Sequence, residues 1–506
     1  MTENMVGLES VAAGAAAAAP AWAAMPPKRR AQALVAVADA LSQSAGDLVA
    51  TAVEETGLSE ARLAGELRRT AVQLRLFADA VVEGSHLDVR IDEADADFAL
   101  GSRPDVRRYR IPVGPIINFA ASNFPFAFSV AGGDTAAALA AGCPVVLKAH
   151  SGHPRLSEQT AAVVTAALAS AGAPDGTFQI ITGRDAGVTM LKDPRIAGGS
   201  FTGSIRIGRM LADVAAARPK PIPFFGELGS VNPAFVTQAA VLEGSESIAD
   251  GFVQSISGSA GQLCTKPGFL FLPEQSELAD RITERVVGTK EQRLLNPAIA
   301  ASYQARRETI LSTPGVNVLA AGSLHIDEDG QGWATPTIVS VSADVLRSAR
   351  ESLLDEAFGP LSVLVEYDEK ADLTEIADDL FEGNLTGTVH VALGEDTPAL
   401  RKLVEWITLH AGRVVFNGWP TGVAVTPAMQ HGGPWPATTN DSSTSVGTAA
   451  IGRFLRPVAY QGTPPGLLPE PLRDDNPWGV PQTRSSAGRS RGWGDSATDD
   501  VRSAIR

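Results

Sequence analysis

The chain has very little cysteine, with only Cys143 and Cys264 among its 506 residues. Two cysteines cannot build the disulfide framework of a small secreted protein, and unpaired thiols suit a reducing compartment. The seven histidines are scattered and the two cysteines lie far apart in the sequence, so no cluster of metal ligands is visible. These scarcities predict a cytoplasmic protein without a metal site.

Clustered positive charge is also missing. The formal net charge is −15 and no basic block occurs before residue 470, so nucleic acid is not an expected partner. No stretch reaches the roughly 18 uninterrupted apolar residues of a membrane span. The alanine-rich run at 12–19 has its basic residues after it, at 28–30, which is not the pattern of a signal peptide. We therefore expect no membrane partner.

What the chain does have is the alternation of a large α/β protein. Short apolar runs alternate with alanine-rich helical stretches from Val113 onwards, which indicates βαβ units and parallel sheets with both faces covered. The first set predicts strands at 115–119, 144–147 and 178–181 and helices at 127–141, 155–171 and 205–217. The second set predicts helices near 246–257, 275–290, 371–382 and 397–410 and strands near 268–272, 361–367, 387–393 and 412–416.

One cysteine lies in a segment that leaves its sulfur approachable. Cys264 is in GQLCTKPG at 261–268, between glycines and ahead of an apolar run. An accessible thiol can act as a nucleophile, whereas an isolated cysteine before a strand is more often buried. The motifs that accompany Cys264 decide between these interpretations.

Five further motifs accompany this cysteine. They are SNFP at 122–125, VVLK at 145–148, FTGS at 201–204, FGELGSVNP at 225–233 and EAFGP at 356–360. Taken singly, Asn123 fits a turn, Glu227 a solvated loop carboxylate and Ser204 a helix cap. In this order and spacing, the set resembles the aldehyde dehydrogenase superfamily over roughly residues 20 to 470.

The resemblance implies a fold and a domain plan. The expected fold class is α/β, with two Rossmann-like parallel-sheet domains and a small β oligomerisation arm. Residues 1–85 and 113–228 would form the cofactor-binding domain and 229–444 the catalytic domain. The arm would comprise 86–112, where apolar and polar residues alternate, and 445–462, so that a homodimer or homotetramer is expected. Residues 463–506 have a Pro- and Gly-rich composition with little to bury, which predicts a disordered tail.

The resemblance also implies a reaction. A thiolate at Cys264 would attack the aldehyde, hydride would leave to the nicotinamide, and water would hydrolyse the thioester. The side-chain N–H of Asn123 would hold the oxyanion. Glu227 would act as the base, and apolar neighbours on its turn would raise its pKa towards neutral.

The strands are not followed by a G-x-G-x-x-G motif, so the usual dinucleotide fingerprint does not identify the cofactor site. The resemblance to the family implies the cofactor-binding residues instead. They are Lys148 and Glu356 for the two riboses, Gly203 and Ser204 for the pyrophosphate, Phe358 beside Glu356, and Arg184 as a further phosphate partner. NAD-preferring relatives often carry a Glu at the position of Ser151. A serine there, with His150 and His153 beside it, favours NADP, with NAD as the alternative cofactor.

The final motifs narrow the resemblance and the substrate. GELGSVNP at 226–233, FNGWPTGV at 416–423, HGGPWPAT at 431–438 and TSVGT at 444–448 look like the branch of α-ketoglutaric semialdehyde dehydrogenases and an NADP-dependent fatty aldehyde dehydrogenase. The expected small-molecule aldehyde is therefore 2,5-dioxopentanoate, oxidised to 2-oxoglutarate. Its carboxylate would require a cation at the tunnel mouth, for which Arg453 and Arg456 are present but cannot be placed.

Three alternatives stay open at this point. The first is a long-chain or aromatic aldehyde substrate, which an apolar funnel could hold; its candidate residues are Phe119, Phe124, Phe126, Phe128 and Trp419. The second is a thiol hydrolase or acyltransferase, which needs a histidine paired with Cys264. No histidine belongs to a motif that we assign to that role. The third is a non-catalytic scaffold, for which Cys264, Glu227 and Asn123 would be unnecessary.

Overall fold

The apolar runs predicted as strands pair in parallel in the computed structural model, which describes residues 2–368 and 370–495. Within these residues the helices are α1 (Thr2–Ala23), α2 (Pro27–Gln43), α3 (Ala45–Thr56), α4 (Glu60–Glu83), α5 (Gly133–Ala141), α6 (Pro154–Ser170), α7 (Arg184–Lys192), α8 (Ile205–Ala216), α9 (Gln238–Ser257), α10 (Leu278–Val287), α11 (Pro297–Ser312), α12 (Ala343–Ser348), α13 (Arg350–Leu353), α14 (Leu373–Leu380) and α15 (Pro398–His410).

The strands of the same described residues follow a similar plan. They are β1 (Val89–Asp92), β2 (Val106–Pro112), β3 (Ile116–Phe119), β4 (Val145–Lys148), β5 (Phe178–Ile181), β6 (Gly198–Thr202), β7 (Phe224–Glu227), β8 (Pro233–Val236), β9 (Phe269–Pro273), β10 (Gln292–Arg293), β11 (Asn317–Ala320), β12 (Leu324–Ile326), β13 (Gly332–Ala334), β14 (Thr337–Ser342), β15 (Leu361–Tyr367), β16 (Asn384–His390), β17 (Ala411–Phe416), β18 (Leu455–Gln461) and β19 (Gln482–Ser485).

Two parallel sheets dominate the fold. The first has the order β5-β4-β3-β6-β7, and the second has the order β11-β14-β15-β9-β8-β16-β17. All neighbours are parallel except β11 and β14, which pair antiparallel at one edge. Their central strands are buried because helices cover both faces. The predicted α/β class with Rossmann-like sheets is confirmed.

The helices of the first sheet pack closely because of their composition. Every residue of α5 is buried, and most of them are alanine or glycine. Small side chains let this helix approach both the sheet and the neighbouring helix α4. Glu66 of α4 in turn accepts hydrogen bonds from the N–H groups of Phe126 and Ala127, in the loop from 120 to 132. That loop carries Asn123.

A third sheet, with the order β18-β2-β1-β19, lies where the sequence predicts an arm. Its last strand lies in the segment predicted to be disordered. β19 pairs in parallel with β1, and Leu468, Leu472 and Val480 are buried against β1. The expectation of disorder is therefore wrong for residues 463–495, because strand pairing and a small apolar cluster order a chain of unpromising composition. Residues 496–506 lie outside the described residues, and the domain boundaries stay predictions.

No single helix among the described residues is long and apolar enough to cross a membrane. Only α2 and α3 taken together meet the criteria of length and composition, and they bend by 69° where they join. Their apolar faces are buried in the hydrophobic cluster that also contains residues of β3, β4 and α5.

Candidate active site

A strained turn presents Cys264 ahead of β9. Ser259, Ala260 and Gly261 have φ values of 56°, 53° and 65°, a left-handed run that non-glycine residues rarely adopt. A Cβ on Gly261 would lie 2.5 Å from the carbonyl oxygen of Gly359, so only glycine fits this turn. The side-chain nitrogen of Asn232 donates to the carbonyl oxygen of Cys264 at 2.8 Å. The turn and this amide together fix the thiol in a partly exposed position.

Glu227 and His431 lie beside this thiol. Glu227 is the last residue of β7, not a turn residue as expected. His431 Nε2 is 3.0 Å from Glu227 Oε1 and 3.7 Å from Cys264 Sγ. Although Nε2 and Oε1 are at ion-pair distance, the geometry is not that of a hydrogen bond, since Oε1 has no hydrogen-bond partner within the described part of the chain. Ser445 Oγ donates to the other oxygen, Oε2.

Burial and neighbouring charges shift the pKa values of both Cys264 and Glu227. Burial and then the Glu227 and Glu356 charges raise the pKa of Cys264 well above its ordinary value, so the thiol is protonated at neutral pH. Burial also acts to raise the pKa of Glu227. The electrostatic interaction with His431, the hydrogen bond from Ser445 and the nearby Cys264 thiol outweigh burial and hold that pKa below its ordinary value. The expected upward shift of the Glu227 pKa is therefore wrong, and Glu227 is a carboxylate at neutral pH.

His431 is the functional candidate that the sequence did not reveal. It stands next to the thiol, although no sequence motif assigns a histidine to that position. The two residues are 167 positions apart, and HGGPWPAT carries no spacing that points to a thiol. His431, Glu227 and Cys264 also place their ligand atoms within 4.8 Å of one another, a group that could hold a metal ion. The scattered histidines gave no sign of this group.

Asn123 lies on the other side of the same thiol. It is buried, and its side-chain nitrogen donates to the Gln262 carbonyl oxygen at 3.2 Å. Because an amide nitrogen carries two hydrogens, one remains for a ligand oxygen next to Cys264. The Asn123 backbone oxygen accepts a hydrogen bond of 2.6 Å from Arg62 Nη2 on α4, which fixes the loop.

A single cavity of about 580 Å³ begins at the thiol and runs along the carboxyl ends of the first sheet. Ligands of parallel sheets bind at this edge. The structure brings every residue expected at the cofactor to this one cavity. They are Lys148, Ser151, Arg184, Gly203, Ser204, Glu356 and Phe358, and Cys264 and Asn123 line it as well.

The end of the cavity near Ser151 is positively charged. Burial and then the Arg184 charge lower the pKa of Lys148, and neither cation forms an ion pair within residues 2–368 and 370–495. Ser151 is exposed and does not cap α6, whose N-cap is His153. Two free cations near a hydroxyl suit a phosphate group.

The two histidines beside Ser151 contribute less than expected. His153 does not line the cavity, because its ring nitrogens contact Ala121 O at 3.0 Å and Ser157 Oγ at 3.1 Å. His150 lines the cavity, but burial and then the His153 and Lys148 charges lower its pKa to about 3. It is therefore neutral at physiological pH, and the positive charge of this region comes from Lys148 and Arg184.

Glu356 at the opposite end has a buried cationic neighbour. Lys266 Nζ donates to the Leu361 carbonyl oxygen at 2.5 Å. Burial raises the pKa of Glu356, and Lys266 opposes that shift. Burial also lowers the pKa of Lys266, and the Glu356 charge opposes that shift. Glu356 lies close to Gly229, where an added Cβ would be 2.4 Å from Glu356 Oε2.

Several residues proposed for the substrate lie elsewhere. Arg453 forms a buried ion pair with Asp134, and Arg456 is an exposed residue of β18. Phe126 belongs to the core of the first domain, and Trp419 packs on Phe252 with ring centroids 5.3 Å apart.

Only part of the expected apolar funnel forms a wall behind the loop of Asn123. Phe124 and Phe128 pack edge to face at 5.4 Å, in a cluster with Val423, Val425 and Met429. Phe119 instead lines the cofactor cavity.

Comparison with known proteins gives a consistent result. The family model "Aldehyde dehydrogenase family" matches residues 5–447. The chain is 42% identical over 454 residues to an alpha-ketoglutaric semialdehyde dehydrogenase of Acinetobacter baylyi, covering 89% of this chain and 85% of that protein. It is 40% identical over 473 residues to alpha-ketoglutaric semialdehyde dehydrogenase 2 of Azospirillum brasilense, covering 92% and 88%.

Solved structures share the fold at lower identity. The NAD-dependent aldehyde dehydrogenase from Sinorhizobium meliloti has a TM-score of 0.74 and 24% identity, covering 90% of this chain and 87% of that chain. The 1-pyrroline-5-carboxylate dehydrogenase from Thermus with bound NAD has a TM-score of 0.76 and 21% identity, covering 90% and 86%.

Proposed function

Since the chain belongs to the aldehyde dehydrogenase family, and is thus an enzyme that oxidises aldehydes with NAD(P), we propose that Cys264 is its nucleophile and 2,5-dioxopentanoate its substrate. The product is 2-oxoglutarate. The observation that carries this proposal is the single cavity lined both by Cys264 and by the residues expected to hold the cofactor. A thiol that opens onto a nucleotide-sized cavity is what hydride transfer from a thiol-bound substrate requires.

The first step in this proposal is deprotonation of the thiol. Because the pKa of Cys264 is raised, a neighbouring base has to take the proton. His431 Nε2, at 3.7 Å from Sγ, is placed to accept it. The imidazolium that forms is stabilised by the Glu227 carboxylate 3.0 Å away. Sulfur then bonds to the aldehyde carbon, and the carbonyl oxygen takes the negative charge.

Asn123 stabilises that charge. Its free amide hydrogen and the backbone N–H of Cys264 are the donors we assign to the oxyanion. A preorganised donor of this kind stabilises a transition state by about 3 kcal/mol. The loop is fixed by Arg62, so the donor needs little reorganisation during the reaction.

The cavity residues fit a nicotinamide dinucleotide. Ser204 is the N-cap of α8, and the first turn of that helix offers backbone N–H groups for the pyrophosphate. The N–H of Gly203 instead donates to the Glu227 carbonyl oxygen at 3.0 Å, which fixes the approach to this helix. Lys148 and Glu356 would hold the two riboses, and Phe358 lies beside Glu356. When bound, the nicotinamide ring supplies the acceptor for the hydride that leaves the tetrahedral carbon. The thioester left on Cys264 is then attacked by a water whose proton passes to Glu227. The carbon–sulfur bond breaks, the proton held on His431 returns to Cys264 Sγ, the proton on Glu227 passes to solvent, and the carboxylic acid leaves.

NADP is the cofactor that the charges support. Lys148 and Arg184 have no carboxylate partner in the described chain, and Ser151 offers a hydroxyl where a carboxylate would repel a 2′-phosphate. This end of the cavity therefore suits the extra phosphate of NADP.

The arm supports assembly into a homodimer or homotetramer. β18 is an edge strand of its sheet, and four of its seven residues are exposed. An edge strand with unpaired backbone groups can add to a sheet of another copy. Sedimentation velocity of the wild type tests this part of the proposal, and a monomer at micromolar concentration contradicts it.

Steady-state kinetics test the substrate and the cofactor together. We expect the largest kcat/KM for 2,5-dioxopentanoate with NADP, compared with succinate semialdehyde and a long-chain aldehyde, each assayed with NAD and NADP. The long-chain alternative is supported by the wall of Phe124 and Phe128. A higher kcat/KM for the long-chain aldehyde selects that alternative and contradicts a semialdehyde substrate.

Activity should also survive incubation with a strong chelator. In this proposal the group of Glu227, Cys264 and His431 handles protons and holds no metal. Loss of activity to the chelator, with recovery on adding a metal ion, contradicts that assignment.

A further inference from the structure

A row of charged side chains on α4 lies along the loop that carries Asn123. Arg62, Glu66 and Arg69 are spaced so that they share one face of the helix. Glu66 Oε1 accepts hydrogen bonds from two backbone N–H groups of the loop, at 2.8 and 2.9 Å. Arg62 Nη2 donates to the Asn123 carbonyl oxygen and lies 3.8 Å from Glu66 Oε2. Arg62 and Glu66 therefore use their charges on each other and on the loop.

Arg69 is left without a partner. Within the described part of the chain its Nη1 is buried with no hydrogen-bond partner, and the side chain forms no ion pair with Glu66 or any other described carboxylate. Its guanidinium carbon lies 5.5 Å above the ring of Phe128. A buried guanidinium that lacks an acceptor is costly and calls for an explanation. A ligand carboxylate would provide that acceptor.

This guanidinium faces the reacting group on the side away from the cofactor. Phe128, which it covers, is 6.2 Å from the ring of His431, and His431 contacts Cys264. Both Glu227 and Cys264 are close enough to affect the pKa of Arg69. Arg69 does not line the cofactor cavity. An aldehyde bound at Cys264 must extend its tail away from the cofactor, which is the side where Arg69 lies.

The other arginines near Cys264 are already engaged. Arg413 uses Nη1 for the Gly422 carbonyl oxygen at 2.6 Å and Nη2 for that of Pro420. Arg62 commits Nη2 to the Asn123 carbonyl oxygen, and within the described residues only its Nη1 is buried without a hydrogen-bond partner. A carboxylate is bound best by two parallel N–H groups of one guanidinium, and Arg69 is the arginine in this set whose terminal nitrogens are not taken by the protein.

We propose that Arg69 binds the carboxylate of the substrate and so selects short-chain aldehydes that carry an acid group at the far end. This inference rests on the proposed function and adds the residue that binds the carboxylate of the substrate. The carboxylate displaces nothing, since it fills the unused hydrogen-bonding capacity of Arg69. It also balances the single positive charge left over by the row of Arg62, Glu66 and Arg69. A neutral aldehyde of equal length gains neither contact.

Paired substrates test this role. The probes are succinate semialdehyde and butanal, which have the same chain length, assayed at saturating NADP with the wild type, Arg69→Met, Arg69→Lys and Arg68→Met. Arg68 is the exposed neighbour on α4 and serves as the matched control. We expect Arg69→Met to lower kcat/KM for the acid about 20- to 100-fold, mainly through KM, and to change butanal less than threefold. For Arg69→Lys, kcat/KM for succinate semialdehyde should lie between the values of the wild type and Arg69→Met. Arg68→Met should have the same kcat/KM as the wild type.

Each outcome bears on the inference. An equal fall for both substrates, or an unchanged ratio of the two kcat/KM values, overturns the role of Arg69 as a carboxylate anchor. Should Arg69→Met fail to fold by circular dichroism, Arg69→Lys decides in its place, because it keeps the charge but loses the two-nitrogen contact. If the wild type and both Arg69 variants all prefer succinate semialdehyde to butanal, the proposed substrate class holds and only the role of Arg69 is contradicted. If the wild type does not prefer succinate semialdehyde to butanal, both the proposed substrate class and the role of Arg69 are contradicted.

Discussion

The surroundings of the two cysteines differ in what stands next to the sulfur. Cys143 lies two residues before the buried strand β4, is fully buried, and its Sγ donates to the Phe454 carbonyl oxygen at 3.4 Å. Cys264 is partly exposed, opens onto a cavity of about 580 Å³, and has a carboxylate and an imidazole within reach. Burial is the main cause of a raised pKa at both sites, to about 11 at Cys143.

A raised thiol pKa therefore does not separate a reactive cysteine from an inert one in this protein. What separates them is a base that can remove the proton and a space for the electrophile, and only the surroundings of Cys264 show both within the described residues. Removing the nucleophile or the base, changing the charge at the cofactor end of the cavity, and removing the inert thiol each test that comparison.

Removing the reactive thiol should have the largest effect. In Cys264→Ala no covalent bond to the aldehyde can form, so we expect dehydrogenase kcat to fall by at least about 10⁴-fold. NADP binding, measured by calorimetry, should change by less than about threefold, because Lys148 and Arg184 are untouched. Substantial turnover by this variant would remove Cys264 from its assigned role.

Removing the carboxylate should separate the two halves of the reaction. Glu227→Gln keeps the size of the side chain but loses the base for hydrolysis, so we expect steady-state kcat to fall by about 10²- to 10⁴-fold. A burst of NADPH should remain, and stopped-flow absorbance measures it. The companion variant His431→Gln should slow the burst itself, because His431 accepts the thiol proton in the proposed mechanism. Unchanged steady-state rates in Glu227→Gln at pH 7 contradict the assignment.

The same carboxylate also controls the reactivity of the thiol at equilibrium. The negative charge of Glu227 contributes to the raised pKa of Cys264. Removing that charge lowers the pKa, so a larger fraction is thiolate at a given pH. Iodoacetamide should therefore alkylate Glu227→Gln with a pH profile shifted to lower pH, even though turnover is lost. A profile shifted to higher pH means that Glu227 stabilises the thiolate instead.

The cofactor side of this site was predictable from sequence for a physical reason. Lys148 ends a buried parallel strand and Ser204 stands just before a helix. Continuous apolar runs mark such strands, and the carboxyl ends of parallel strands meet at one edge. Local sequence thus specifies both the element and the end of it at which the residue lies.

The thiol side was less predictable, because its members meet only through the tertiary fold. Ser445 reaches Glu227 across 218 positions, and Arg69 lies on a helix whose pattern indicates only a covering role. No periodicity shows which polar residue of a helix or loop will face a distant thiol. The prediction that the C-terminal segment is disordered was wrong for a related reason. β19 is ordered by pairing with β1, and composition does not reveal a partner strand.

Changing the far end of the cavity should alter cofactor choice with little effect on the thiol. Ser151→Glu places a carboxylate where the 2′-phosphate of NADP is expected, so we expect the ratio of kcat/KM for NADP to that for NAD to fall about 5- to 150-fold. Because Ser151 is exposed and His153 is the N-cap of α6, the substitution should not destabilise that helix. Steady-state kinetics with both cofactors at a fixed aldehyde concentration measure the ratio, with Ser151→Gln as the neutral control. An unaltered ratio contradicts the NADP proposal.

The smallest effect is expected at the inert thiol, and it completes the comparison. Cys143→Ala removes one buried atom from the closely packed segment just before β4, at a cost of about 1 kcal/mol in the free energy of unfolding. Activity should stay within about twofold of the wild type, since Cys143 has no route to the cavity beside Cys264. Thiol titration with a disulfide reagent supplies the control. One thiol should react in the native wild type and two in denaturant, whereas Cys264→Ala should show none until it unfolds. A native Cys143 that reacts at a rate similar to that of Cys264 means that burial alone does not protect it, and the distinction drawn between the two sites fails.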